Sequence, residues 1–384
     1  MKLIGLIVKS ARRSKRRTAL TVLSVAIAVF LFASLRAVLD GFNAAAAASS
    51  STRIVTIRST SLIFSMPSSH TQSIRSVPGV RDITWANWFG GIYKDPGNFF
   101  AQFAIDAESY LRLYPEMELT PDERKAFMDD RTGAVVGDGL AGRFGWHVGD
   151  RIVLQVGIPT YGTQDFTFTI RGIYKSAAAA VDNQSMFFHW KYADERSIEK
   201  GQIGWFVSEI SHPDAAAEVS TTIDQKFANT PYETKTDTEK QFQSSFVSMF
   251  GNLSLLLGSV GLAVVLTTLF VAGNTMAMSV RERTTEIAVM RTLGFPARTI
   301  FMFIAGEGLL MAVLGGLLGA VLAWAIVDAR NFPLSGGFIP PFGVTGRNVL
   351  VGIALSAVIG LLAGLVPATM ASRLRIVDAL RRVA

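Results

Sequence analysis

Apolar residues gather in four long runs, interrupted by one large alternating segment and by short charged or glycine-rich breaks. The first run, residues 18–40, follows Arg12, Arg13, Lys15, Arg16 and Arg17 and is long enough to cross ~30 Å of hydrocarbon as a helix. It exceeds the ~7–15 residue core of a signal peptide, so it is expected to stay as an anchor. The second, from Phe242 to Val280, contains no charged residue. At ~1.5 Å per residue a helix of that length outruns the bilayer, so it is expected to begin as a stalk outside the membrane. The third and fourth runs cover residues 300–327 and 349–371.

Four crossings put both termini on one face, and the distribution of Lys and Arg says which. The N-terminal cluster, the 281–299 break and the tail with Arg373, Arg375, Arg381 and Arg382 all fall on one side, which is cytoplasmic by the positive-inside rule. The 328–348 connection, with Pro333, Gly336, Gly337, Pro340 and Pro341, reads as a short external loop. Leu3, Ile4, Leu6, Ile7 and Val8 predict an amphipathic interfacial helix within residues 1–17, and residues 372–384 predict a basic tail helix on the same surface.

Residues 41–241 then form a large extracytoplasmic α+β domain. Arg53–Arg58 alternates as a strand, residues 69–77 suit a helix, and Pro78-Gly79 turns into a strand from Val80 to Trp85. A matching strand, helix and strand occupy 203–210, 214–227 and 232–236. The two halves predict a ferredoxin-like layer. Residues 150–156, 166–174 and 185–189 predict strands of a β-rich subdomain inserted at roughly 88–195.

Composition agrees: 49% of the 384 residues are hydrophobic and 17% charged, with a positive mean hydropathy of +0.34. The net charge of +7 comes from residues beside the apolar runs, which points to lipid headgroups and topology and not to nucleic acid. No cysteine is present, so the external domain has no disulfide to lean on.

The chemical motifs are sparse. Gly137-Asp138-Gly139-Leu140-Ala141-Gly142 spells a dinucleotide fingerprint, but without an alternating βαβ series or a ribose-binding acid it reads as a small-residue turn entering a short helix. No phosphate-binding loop of the G-x-x-x-x-G-K-[ST] kind and no G-x-S-x-G elbow occurs. His70, His147, His189 and His212 are too scattered for a metal site. A membrane-anchored enzyme therefore has no candidate catalytic constellation. Glu307, the one acidic residue in the interior of a span, is a functional candidate by default; its place near the cytoplasmic start of the third helix gives the structural alternative, facing water or pairing with a basic residue such as Arg298. Gly315, Gly316, Gly319, Ala320, Gly352, Gly360, Ala363 and Gly364 predict close helix contacts in the third and fourth spans.

The most informative break is 281–299, a short charged helix ended by Gly294 and Pro296 on the cytoplasmic side. Arg281-Glu282-Arg283-Thr284-Thr285-Glu286-Ile287 and Arg291-Thr292-Leu293-Gly294, with Gly364-Leu365-Val366-Pro367-Ala368, Asp378-Ala379-Leu380-Arg381 and the stretch from Val135 to Asp150, resemble the FtsX-like or MacB-type ABC transporter permeases, a family that includes LolC and LolE. The resemblance implies a dimer of identical or paired permeases in the bacterial inner membrane, seated on two copies of a separate ATPase subunit that binds ATP and Mg. It implies no cofactor in this chain, a possible periplasmic adaptor, and a coupling helix formed by Arg281, Glu282, Arg283, Glu286, Ile287, Arg291, Leu293 and Gly294. The charges of that helix are expected to meet a groove on the ATPase, with Ile287, Val289 and Met290 anchoring it to the membrane domain or to the groove surface. Export or extraction of a lipoprotein, lipid, peptide or drug is the activity implied; the alternative is a transmitter that regulates a cell-wall hydrolase.

Overall fold

The computed structural model describes residues 5, 15–61, 64–158, 160–176, 182–249, 253–326 and 343–373. The expected interfacial helix, external connection and tail helix lie largely outside these residues. Two compact units emerge among the described residues: residues 40–249 form one, and residues 15–39, 253–326 and 343–373 form the other.

In chain order the elements begin with α1 (Lys15–Ala48), β1 (Arg53–Arg58), β2 (Met66–Pro67), α2 (His70–Arg75) and β3 (Val80–Trp88). The insertion supplies β4 (Gln102–Ile105), α3 (Ala107–Leu113), β5 (Met117–Glu118), α4 (Pro121–Asp129), β6 (Gly133–Gly137), α5 (Asp138–Phe144), β7 (Arg151–Ile158), β8 (Gly162–Ser176), β9 (Met186–His189) and α6 (Trp190–Asp194). The chain returns through β10 (Gln202–Ile203), β11 (Trp205–Ile210), α7 (Ala216–Phe227), β12 (Thr234–Thr238) and α8 (Glu239–Met249). The membrane-type elements are α9 (Leu253–Glu282), α10 (Thr284–Thr292), α11 (Ala297–Ile326) and α12 (Gly346–Ser372).

In the α+β unit the strands β12, β1, β11 and β3 lie side by side, each pair antiparallel. Numbered by sequence within the layer this is the order 4-1-3-2, with one helix inside each half, as the ferredoxin-like reading requires. Ile74 of α2 and Val219, Ile223 and Phe227 of α7 share one core with Ile54, Ile83 and Phe206 from the sheet. Gly79 turns the chain at φ +94°, where an added Cβ would also lie 2.8 Å from Val219.

The insertion extends this same sheet, because β3 pairs with β4 and the order continues β4-β9-β6-β8-β5. It nevertheless has its own core, built from aromatic rings: Phe89, Phe100, Phe166, Phe168 and Phe188 are fully buried. On β8 the buried residues Phe166, Phe168, Ile170 and Tyr174 follow the two-residue period of a strand. The residues expected as one strand from 203 to 210 form two, because Gly204 donates its N–H to Asn87 Oδ1 at 3.0 Å and breaks the ladder.

Four helices of the other unit are long and apolar enough to cross a membrane: Lys15–Gly41, Leu255–Glu282, Ala297–Ile326 and Gly346–Ser372. Their small residues sit where helices meet. A Cβ on Gly360 would lie 2.5 Å from Ala312 Cβ and 2.8 Å from Gly308 O, and one on Gly315 would lie 2.7 Å from Val22 O. Large apolar residues such as Leu262, Phe270, Leu318 and Leu362 face outward, as hydrocarbon-facing helices require.

Candidate functional site

The break between α9 and α10 falls at Arg283, whose φ of −107° and ψ of 16° leave the helical region. Its N–H still reaches Val280 O and its carbonyl accepts from Ile287, so the chain kinks by one residue and starts again. The other end of α10 is closed by two bonds: Gly294 donates to Arg291 O and Phe295 donates to Met290 O, both at 3.1 Å. With Gly294 at φ +87° this is a Schellman cap, which only glycine adopts without strain. Pro296 then leads into α11.

Ile287 and Ala288 are buried and Met290 is half-buried, so α10 lies with one face on the membrane-type unit. Thr285, Glu286, Val289, Thr292 and Leu293 are exposed. Of the three residues expected to anchor α10 on the membrane domain or on the groove of the ATPase, Val289 is 47% exposed and faces away from the membrane-type unit, because two residues from Ile287 a helix has turned ~200°. Leu293 is 72% exposed and Phe295 43%. The open face of α10 is thus apolar, at Val289 and Leu293, with Glu286 exposed at its border one turn before Met290 and Arg281 and Glu282 exposed at the end of α9.

Two ion pairs set this element in place. Arg283 Nη1 lies 3.2 Å from Glu307 Oε2, with side chains 14% and 7% exposed. The guanidinium of Arg283 therefore turns inward, while the neighbouring Glu282 binds Arg17 at the start of α1. Arg17 also donates to Ser279 Oγ at 2.8 Å. Arg298 does not reach Glu307: nine residues along one helix separate them by roughly 13 Å and half a turn. Arg291 is half-buried, and its Nε has no hydrogen-bond partner among the described residues. Arg17, Arg283, Glu286 and Glu307 share a cavity of about 450 Å³ whose other walls include Met276 and Phe303.

Elsewhere the chemistry is structural. Gly137 ends β6 and residues 138–144 form a seven-residue helix, with Gly137 and Gly139 packed against Asn183 and Gln184. His70 stacks on Phe227, and His189 Nε2 lies 2.7 Å from Phe127 O.

Comparison with known proteins fits this anatomy. Residues 18–226 match the MacB-like periplasmic core domain, and residues 258–376 match the FtsX-like permease C-terminal region. An ABC transporter permease of Methanocaldococcus jannaschii is 22% identical over 344 residues, covering 83% of this chain and 82% of that one. The macrolide export ATP-binding/permease protein MacB of Shewanella oneidensis is 27% identical over 301 residues, 74% of this chain but 40% of its own length. A Bacillus subtilis ABC transporter permease, YvrN, is 34% identical over 110 residues, 28% of this chain and 25% of that one. Among solved structures, the extracellular domain of the ABC-type transporter YknZ from Gram-positive bacteria aligns with 48% of this chain and 99% of its own, at 10% identity and a TM-score of 0.35. Its four spans, its α+β domain and a periplasmic-core match across more than half of its residues place the chain among the MacB/FtsX-type ABC transporter permeases, and it belongs to that family.

Proposed function

We propose that this permease passes motion from a separate cytoplasmic ATPase, which binds the ATP and Mg, to its extracytoplasmic α+β domain, with α10 as the element the ATPase pushes. The observation that carries this reading is the two-sided character of α10. One face is held by Ile287 and Met290, with Glu286 one turn before Met290 at its exposed border, the inward Arg283–Glu307 pair fixes the preceding kink, and the opposite face presents Val289 and Leu293. A short element that is anchored on one side and open on the other transmits a push without being folded into the unit behind it. Export or extraction of a lipoprotein, lipid, peptide or drug suits a domain enlarged by an insertion of this size.

The span Leu255–Glu282 supports a paired assembly, since 17% of its most apolar stretch is buried against 33–39% in the other three. That open side is the one we assign to a second permease, identical or paralogous. The test is co-purification and stimulated ATP hydrolysis with the cognate ATPase, using Glu286→Lys and Leu293→Ser. Both should lose the partner or its stimulation while still inserting in the membrane. Full association and full stimulation in both variants would remove α10 from the coupling role.

A further inference from the structure

The chain enters the α+β sheet just after α1 and leaves it directly into α8, and a single carboxylate spans the two junctions. Glu239, the first residue of α8, is buried. Its Oε2 accepts from Ser50 N–H at 3.0 Å and from Arg53 Nε at 2.9 Å, and its Oε1 accepts from the Tyr114 hydroxyl at 3.0 Å. Arg53, in β1, spends its other arm on the insertion: Nη1 donates to Leu113 O at 2.8 Å and to Glu116 Oε1 at 3.0 Å. The ring of Tyr114 lies 4.3 Å beneath the same guanidinium.

One ion pair thereby joins four stretches of chain: the turn after α1, β1, the segment between α3 and β5, and the first turn of α8. Burial works against the charge on Arg53, and the carboxylates of Glu239 and Glu116 outweigh it, so the guanidinium is held more firmly protonated than usual. Burial, reinforced by Glu239, pushes the Tyr114 hydroxyl well above its ordinary range, so it keeps its proton and donates it to Glu239. Apolar contacts in this corner, among Val55, Leu113, Val207 and Phe242, allow sliding. Directed, charge-assisted hydrogen bonds do not, and a lysine lacks the fork that lets Arg53 hold Glu239 and Leu113 together.

We propose that Glu239 and Arg53 are positioning residues for the permease's coupled movement: they bind the roots of the two connecting helices and the insertion into one body, so that a pull on either root reaches all of it. This rests on the coupling reading above. The chain has no native cysteine, so labels can be placed singly. In the full permease with its ATPase, spin labels at Lys125 and Glu218 should report one narrow distance, unchanged between nucleotide-free and vanadate-trapped states. In Glu239→Gln that distance should hold at rest and broaden only in the trapped state, when the helices are driven. Broadening in both states would assign the cluster to stability alone, and an unchanged trapped distance would also overturn the proposal. Labels at Glu218 and Leu255 report separately whether nucleotide moves the α+β unit at all; no response there defeats the coupling reading itself. If Glu239→Gln does not fold, Tyr114→Phe, which removes one hydrogen bond and keeps the ring under Arg53, carries the same test.

Discussion

The two best-buried ion pairs, Arg53–Glu239 in the α+β unit and Arg283–Glu307 in the membrane-type unit, solve different problems. Arg53 and Glu239 have side chains 5% and 9% exposed and are 186 residues apart in sequence. Arg283 and Glu307 are 24 residues apart, and both line a cavity. A fully enclosed pair survives only when every arm is satisfied, and Arg53 and Glu239 have bonds from Ser50, Leu113, Tyr114 and Glu116 to that end. A pair beside a cavity tolerates less complete enclosure. The difference separates a joint closed on every side from one with open space beside it.

The sharpest way to break the comparison is Arg53→Met. Losing one member of an enclosed pair should destabilise the α+β unit by roughly 3–5 kcal/mol. Urea melts of the full permease, followed by tryptophan fluorescence, should register it, and a cost near zero would erase the distinction. Arg283→Met should cost less, about 1–3 kcal/mol, because the cavity leaves Glu307 room to regain polar contacts. Thermal unfolding in detergent checks this; a loss equal to that of Arg53→Met would make the two pairs equivalent.

Acidification should give the smallest effect and confine it to one unit, since all four histidines lie between residues 70 and 212. Burial holds His70 and His189 below the usual imidazole value of 6.5. The unfolded chain then takes up protons first, so stability from these groups is intact above about pH 6.5 and declines as pH falls below it. Melting at pH 7.5 and 5.5 should show the α+β unit weakening, with His70→Phe reducing the difference. An identical response in that variant and the parent would remove His70 from the account.

Much of this anatomy was legible from local pattern. Length and charge located the spans, Gly294 announced the end of α10, and the two matching strand-helix-strand halves gave the layer its order. Thr120-Pro121-Asp122-Glu123 carries a complete capping box with proline at the first turn, so α4 was readable from a signal the strand-centred reading passed over. The inward turn of Arg283 and the reach of Arg53 were not readable. Both depend on where segments far apart in sequence come to rest, and a charged residue in a polar stretch gives no sign of whether it will meet a partner chain or a carboxylate of its own.

The strand order also dictates a timetable. β1 has neighbours only on β11 and β12, so from the moment it is synthesised it must wait for about 150 further residues. At roughly 5–20 residues per second that delay is about 8 to 30 seconds. The insertion, whose strands β4, β6, β8 and β9 pair among themselves, can form its aromatic core during the interval. Meanwhile Arg53-Ile54-Val55-Thr56-Ile57-Arg58 is an apolar edge with an arginine at each end, and those flanking charges are its protection against pairing with another nascent copy.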